Sequence, residues 1–172
     1  MKKMKSMLLF LATSFFAINA MAQNKGDVVD VAAGSKDHTT LVAAIKAAKL
    51  DETLKGSGPF TVFAPTNAAF EKLPAGTVET LLKPENMATL GNILTYHVVS
   101  GNLDAKSVMA AIEAGKGKAI LPTVGGGNLT ASIQGGKVVL TDAKGGKSTV
   151  TATDLKASNG VIHVIDTVLM PK

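Results

Sequence analysis

Residues 60–73 read FTVFAPTNAAFEKL, a strand handed directly to a helix. Phe60, Thr61, Val62 and Phe63 are aromatic or β-branched, side chains that suit a pleated, half-buried surface. Pro65 closes the run because it has no amide to donate to a ladder. Thr66 then stands where a hydroxyl can accept the first free amides of a helix, with Asn67 and Phe70 in the turns that follow. Upstream, Leu41, Val42, Ala44, Ile45 and Ala48 recur at helical spacing behind two candidate caps, Asp37 and Thr39. Downstream, Met87, Leu90, Ile93 and Leu94 repeat the pattern with Pro84 near the start. Val108, Met109 and Ile112 repeat it again between Asp104 and Gly115. One strand interrupts an otherwise helical half.

Beyond Ile120 the texture changes to short β-prone runs separated by glycine. Leu129, Ala131 and Ile133 alternate with polar residues, the pattern of a strand with one wet face. Gln134-Gly135-Gly136-Lys137 turns that strand back into Val138, Val139 and Leu140, and residues 143–147 lead into the next at Ser148. Asn159-Gly160 is a two-residue hairpin signal joining residues 153–157 to 161–165, because both central positions of a type I′ turn take positive φ. The last run, VIHVI, lacks polar alternation apart from His163, so burial on both faces is expected. Gly125-Gly126-Gly127 reads as a flexible loop. Helices with one early strand, then a β-meander, describe a single α+β domain whose helical half covers a small sheet sandwich or barrel.

The amino terminus has a different chemistry. Lys2, Lys3 and Lys5 precede an apolar run of about twelve residues, and Ala20-Met21-Ala22 supplies the small side chains of a cleavage site. A spanning helix needs ~20 apolar residues, so residues 1–22 are expected to be a cleaved secretory signal and residues 23–172 the working domain. A secreted or periplasmic location in a bacterium follows, with no membrane insertion once the signal is removed. Three of the 18 basic residues belong to the signal; the remaining 15 face 13 acidic ones, a net charge of only +2. Every basic residue is lysine, tryptophan is absent and there is one tyrosine, a poor kit for nucleic acid. The lack of cysteine excludes disulfides, thiolate metal sites, cysteine nucleophiles and a lipid-modified cysteine.

No catalytic constellation is legible. Residues 141–148, TDAKGGKS, imitate a phosphate-binding loop, but Thr141 stands where its first glycine is required and β-branched residues follow instead of a helix. His38, His97 and His163 are far apart without the spacing of a helical metal site, and hydrogen-bonded structural roles are expected for His97 and His163. Asp51, Glu52 and Glu85 read as solvated helix ends. No metal, cofactor or turnover is expected.

Three segments together, FTVFAPTNAAFEKLP, TYHVV and ASNGVIHVIDTVLMP, closely resemble the signature blocks of the fasciclin-like domain family, and the resemblance extends over residues 26–171. One departure is Asn67, where the family commonly has Asp after the Thr. The resemblance implies a helical part packed on a β-wedge, and adhesion or matrix interaction without catalysis. In animal members integrin binding is assigned to the Tyr-His segment and to an Asp-hydrophobic pair before the last hairpin. The matching residues here are Tyr96, His97, Asp154 and Leu155, although Thr153 and Lys156 differ from the animal motif. Thr66, Asn67, Phe70, Asn159, Gly160 and His163 match motif positions with structural roles. The expected partner is a protein or polysaccharide surface component bound by a monomer. Alternatives are a periplasmic small-ligand carrier or sensor, which needs an apolar pocket, and a hydrolase built on His97 and a carboxylate. Amino-terminal sequencing of the exported protein should begin at Gln23; a product that keeps Met1 or Lys2 would contradict the signal reading.

Overall fold

The computed structural model describes residues 26–172, so the signal and its cleavage site lie outside the described residues. The organising element is a pair of parallel strands, β1 (Phe60–Pro65) and β7 (Gly160–Ile165), in register from Phe60↔Gly160 to Pro65↔Ile165. The short β2 (Val98–Ser100) flanks β1. On the other side β7 leads through β6 (Lys147–Lys156), β5 (Lys137–Thr141) and β4 (Asn128–Gln134) to β3 (Lys118–Pro122), all antiparallel. The two ends of this seven-stranded sheet curl toward each other. A bridge between Val99 and Thr123, with the Val124 amide donating to the Val98 carbonyl at 2.8 Å, draws it into a nearly closed wedge.

Helices α1 (Val28–Ala33), α2 (Thr39–Ala47) and α3 (Asp51–Leu54) precede β1, α4 (Asn67–Glu71), α5 (Thr77–Leu81) and α6 (Met87–Tyr96) lie between β1 and β2, and α7 (Ala105–Ala114) leads into β3. Two apolar cores result. Leu41, Ile45, Leu90 and Leu94 pack over Val62 and Ala64 of β1 and Ile162 of β7. Inside the wedge, Phe63 and Ile165 join Val108, Ile112, Leu129 and Leu140. β1 and β7 are therefore a partition with a core on each side, which explains why neither carries a polar face. Each large side chain so buried contributes about 1.5–3 kcal/mol before chain entropy is counted.

The structure corrects four details of the sequence reading. Asn159-Gly160 is not a type I′ turn: neither residue has positive φ, and Lys156 pairs with Val161 across a four-residue loop closed by the Ala157 amide on the Gly160 carbonyl at 2.9 Å. Glycine is required at 160 for space, since a Cβ there would overlap the Phe60 carbonyl. Asn159 clasps distant chain: its Oδ1 accepts the Val28 amide at 3.0 Å and its Nδ2 donates to the carbonyls of Leu54 and Gly56 at 2.6 and 3.0 Å. Neither Asp37 nor Thr39 caps α2. Asp37 lies in a 3-10 turn and Thr39 is already helical; the orphan Thr40 amide instead donates to Oδ1 of Asn67 from α4 at 3.0 Å. Ile133 breaks the alternation of β4, standing largely exposed at the mouth of the wedge beyond the buried Leu129 and Ala131. Finally, residues 148–157 are not two strands: β6 runs unbroken from Lys147 to Lys156, with irregular register on β7.

Gly160→Ala should destabilise the fold by roughly 2–3 kcal/mol, because the new methyl must push the two central strands apart. Urea unfolding will read this, and a change within 0.5 kcal/mol would show that the strands yield freely.

Candidate functional site

α6 ends on Tyr96 and His97, whose side chains turn inward and are only 1 % and 2 % exposed. The Tyr96 hydroxyl donates to the Asn128 carbonyl at 2.8 Å and accepts the Ala143 amide at 3.0 Å, tying the helix to β4 and to the β5–β6 turn. A Cβ on Gly127 would meet the tyrosine ring at 2.6 Å, and one on Gly125 would meet Thr95 Oγ1 at 2.9 Å. The triple glycine is thus a loop fitted to Tyr96, correcting its reading as a flexible connection.

His97 Nε2 accepts the Leu169 amide at 3.0 Å, so the ring proton resides on Nδ1, which donates to the Ile93 carbonyl at 2.7 Å. Burial lowers its pKa to about 4, opposed by the Ile93 carbonyl and by Asp142. Asp142 is a site residue that the sequence reading passed over. Its Oδ1 accepts the amides of Lys144 and Gly146 at 2.9 and 2.7 Å, and its Oδ2 accepts Met170 at 2.9 Å. An Asp three residues ahead of a Gly-Gly pair is a recognisable side-chain turn, which is the signal that could have found it. His97 and Asp142 together fasten residues 169–170 across the end of the wedge.

The second nominated pair lies elsewhere. β6 slips against β7 between Val150 and Leu155, and Asp154 occupies the bulge with φ of 61°. Its amide donates to His163 Nδ1 at 3.4 Å, and its Oδ1 accepts the Ala105 amide at the start of α7 at 2.9 Å. His163 Nε2 donates to the Leu103 carbonyl at 2.6 Å, and the Leu103 amide returns to Thr61 Oγ1 at 2.8 Å. Asp154 therefore lies in the bulge of β6, a few residues ahead of the 157–160 loop, and its carboxylate accepts the first amide of α7. Leu155 beside it stays 40 % exposed on the locked bulge. Phe63 connects the two regions: its amide donates to the His97 carbonyl at 2.9 Å, and its ring stacks on His163 with centroids 5.6 Å apart.

The remaining motif residues hold structure. Thr66 Oγ1 accepts the Ala69 amide at 3.2 Å, as a cap should, and Phe70 is buried in the helical core. His38, also buried, pairs Nδ1 with Ser35 Oγ at 2.8 Å, while its Nε2 has no hydrogen-bond partner among the described residues. Among the described residues no group of His, Asp and Glu could hold a metal ion, and no helix is long and apolar enough to cross a membrane. An apolar pocket lined by Phe63, Val108, Val150 and His163 has about 10 Å³, room for a single water.

Residues 36–171 match the family described as Fasciclin domain. The chain is 52% identical over 144 residues to Protein sll1483 of Synechocystis sp., covering 84% of this chain and 73% of that one. It is 37% identical over 161 residues to Immunogenic protein MPB70 of Mycobacterium bovis, covering 90% and 73%. Against Transforming growth factor-beta-induced protein ig-h3 of Sus scrofa it is 40% identical over 146 residues, 85% of this chain but 19% of that longer protein. Among solved structures, a FAS1 domain pair from the insect cell adhesion molecule Fasciclin I matches with a TM-score of 0.73 at 21% identity, over 84% of this chain and 51% of that one.

Tyr96→Phe should destabilise by about 1–3 kcal/mol in urea unfolding, since it strands the Asn128 carbonyl and the Ala143 amide without a partner. A pH dependence also follows from His97, which protonates near 4 when folded and near 6.5 when unfolded. Its contribution is complete above pH 6.5. As the pH falls from there toward 4, the unfolded chain takes up the proton first, and stability drops by up to roughly 3 kcal/mol. Burial lowers the pKa of His38 as well, which adds to the slope. Unfolding midpoints at pH 7 and 4.5 should converge in His97→Gln relative to the unsubstituted chain.

Proposed function

The chain belongs to the fasciclin domain family, and from that premise we propose that it is a secreted or periplasmic interaction module, adhering to a surface, matrix or envelope component without turnover. The observation that carries this reading is the Asp154–Leu155 bulge. Interfaces gain most from an apolar side chain presented on backbone that is already ordered, because little entropy is then lost on contact. Leu155 meets that condition. It projects from a strand whose preceding residue is held by His163 on one side and by the α7 amino terminus on the other. Tyr96 and His97 act beneath the surface in this reading, by holding β4, the β5–β6 turn and residues 169–170 in place.

Kinship with an insect cell adhesion molecule supports the same reading. The carrier alternative wants an apolar pocket of about 300 Å³ or more; the apolar slot beside His163 holds only about 10 Å³, and a larger hollow of about 360 Å³ is lined largely by polar residues, among them Thr89, Asn92 and Lys144. The hydrolase alternative wants a histidine free to exchange protons with substrate, whereas both ring nitrogens of His97 are engaged by backbone.

Leu155→Ser should leave urea stability within about 0.5 kcal/mol while weakening retention of the protein on cell-envelope or matrix fractions at least several-fold. Asp154→Ala, by contrast, should lower stability, because the Ala105 amide at the start of α7 loses its partner even though Asp104 still caps the helix. Undiminished retention of a folded Leu155→Ser protein would remove the bulge from the contact surface.

A further inference from the structure

The wedge presents a second, chemically distinct surface on the outside of β3–β6. Cross-strand partners share a face of a sheet. The register places Ile120, Thr130 and Thr141 in one outward row, and Ser132, Val139 and Thr149 in the next. Val139 is only 6 % exposed yet belongs to neither apolar core; it sits flush between its hydroxyl-bearing neighbours. Ile120, 70 % exposed, marks the β3 margin. There the face meets an open groove of about 620 Å³ between α7 and β3, lined by Ala111, Gly115, Lys118 and Ile120.

The charge on this face has one sign. Lys118 pairs with Ser132, Lys137 with Gln134 and Lys147 with Thr141, so all three lysines stand outward. None of the outward positions of the four strands up to the β6 bulge is Asp or Glu. The nearest carboxylate in sequence, Asp142, has both oxygens taken by backbone amides. The asymmetry extends to the whole chain: residues 26–103 hold 6 lysines and 8 acids, residues 104–172 hold 8 lysines and 5 acids. Lys137 and the Thr141 row are about 13 Å apart along the strand, so the cations flank the hydroxyl rows from both ends.

We propose that this outer face binds an acidic polysaccharide, with Lys118, Lys137 and Lys147 meeting its carboxylate or sulfate groups and the Thr and Ser hydroxyls meeting its sugar hydroxyls. Lysine supplies point charge for scattered anions, while the absence of arginine leaves no planar fork for nucleic-acid phosphates. A neutral glycan would need an aromatic platform under its rings, and the single tyrosine is buried at the far end of α6. A hydroxyl face without a central aromatic or Arg anchor also fits a polymer better than a protein hot spot.

The test is binding of the full chain to immobilised alginate, with neutral dextran and poly-glutamate as comparison surfaces. Retention on alginate should exceed dextran and poly-glutamate at least tenfold and fall steadily with added salt. The triple variant Lys118→Gln, Lys137→Gln, Lys147→Gln should lose at least tenfold with an unchanged circular dichroism spectrum. Thr130→Glu, which places an anion at the centre of the face, should do the same. Leu155→Ser should leave alginate retention unaltered, which separates this face from the bulge. Equal retention on dextran or poly-glutamate, no retention on alginate, or full retention by the folded lysine and Thr130 variants would each overturn the proposal.

Discussion

The rest of the molecule depends on one backbone approach, that of Phe60 to Gly160. It begins the parallel ladder between β1 and β7, strands a hundred residues apart in sequence, and it tolerates no side chain at 160. Because this pair has apolar packing on both faces, it converts two half-cores into one domain. Asn159 reinforces the junction by binding α1 and the segment after α3 at once. The helices have few contacts of their own to hold them: most are one or two turns long, lengths that are marginal alone and are held by tertiary packing.

Much of this was legible in the sequence because it follows from local chemistry. The strand at Phe60, the caps at Thr66 and Asp104, the Gly135-Gly136 reversal and the two-sided burial of VIHVI each rest on a pattern confined to a few residues. What escaped was chemistry between distant segments. Asn67 caps a helix that lies before it in sequence; Gly127 is small because Tyr96 needs its space; Gly160 is small because of Phe60. Each of these positions suggested a local role, and the demand came from elsewhere in the fold.

The nominated site residues divide along the same line. Motif positions catch the eye whether they meet a partner or hold the scaffold, and three of the four here hold the scaffold. His97 and His163 use both ring nitrogens on backbone groups that no strand or helix ladder reaches. A histidine with one donor and one acceptor is well suited to that work, and no sequence pattern distinguishes it from a reactive one.

The distance between β1 and β7 also sets the order in which the protein can become itself. β1 is complete by residue 65, but its parallel partner starts at residue 160, and the segment that fastens to His97 and Asp142 comes later still. While the chain is being made or threaded through a pore, one edge of its central strand stays open and neither core can close. Such high contact order slows folding. Under the export proposed above, that delay would keep the chain pliable until its last strand arrives.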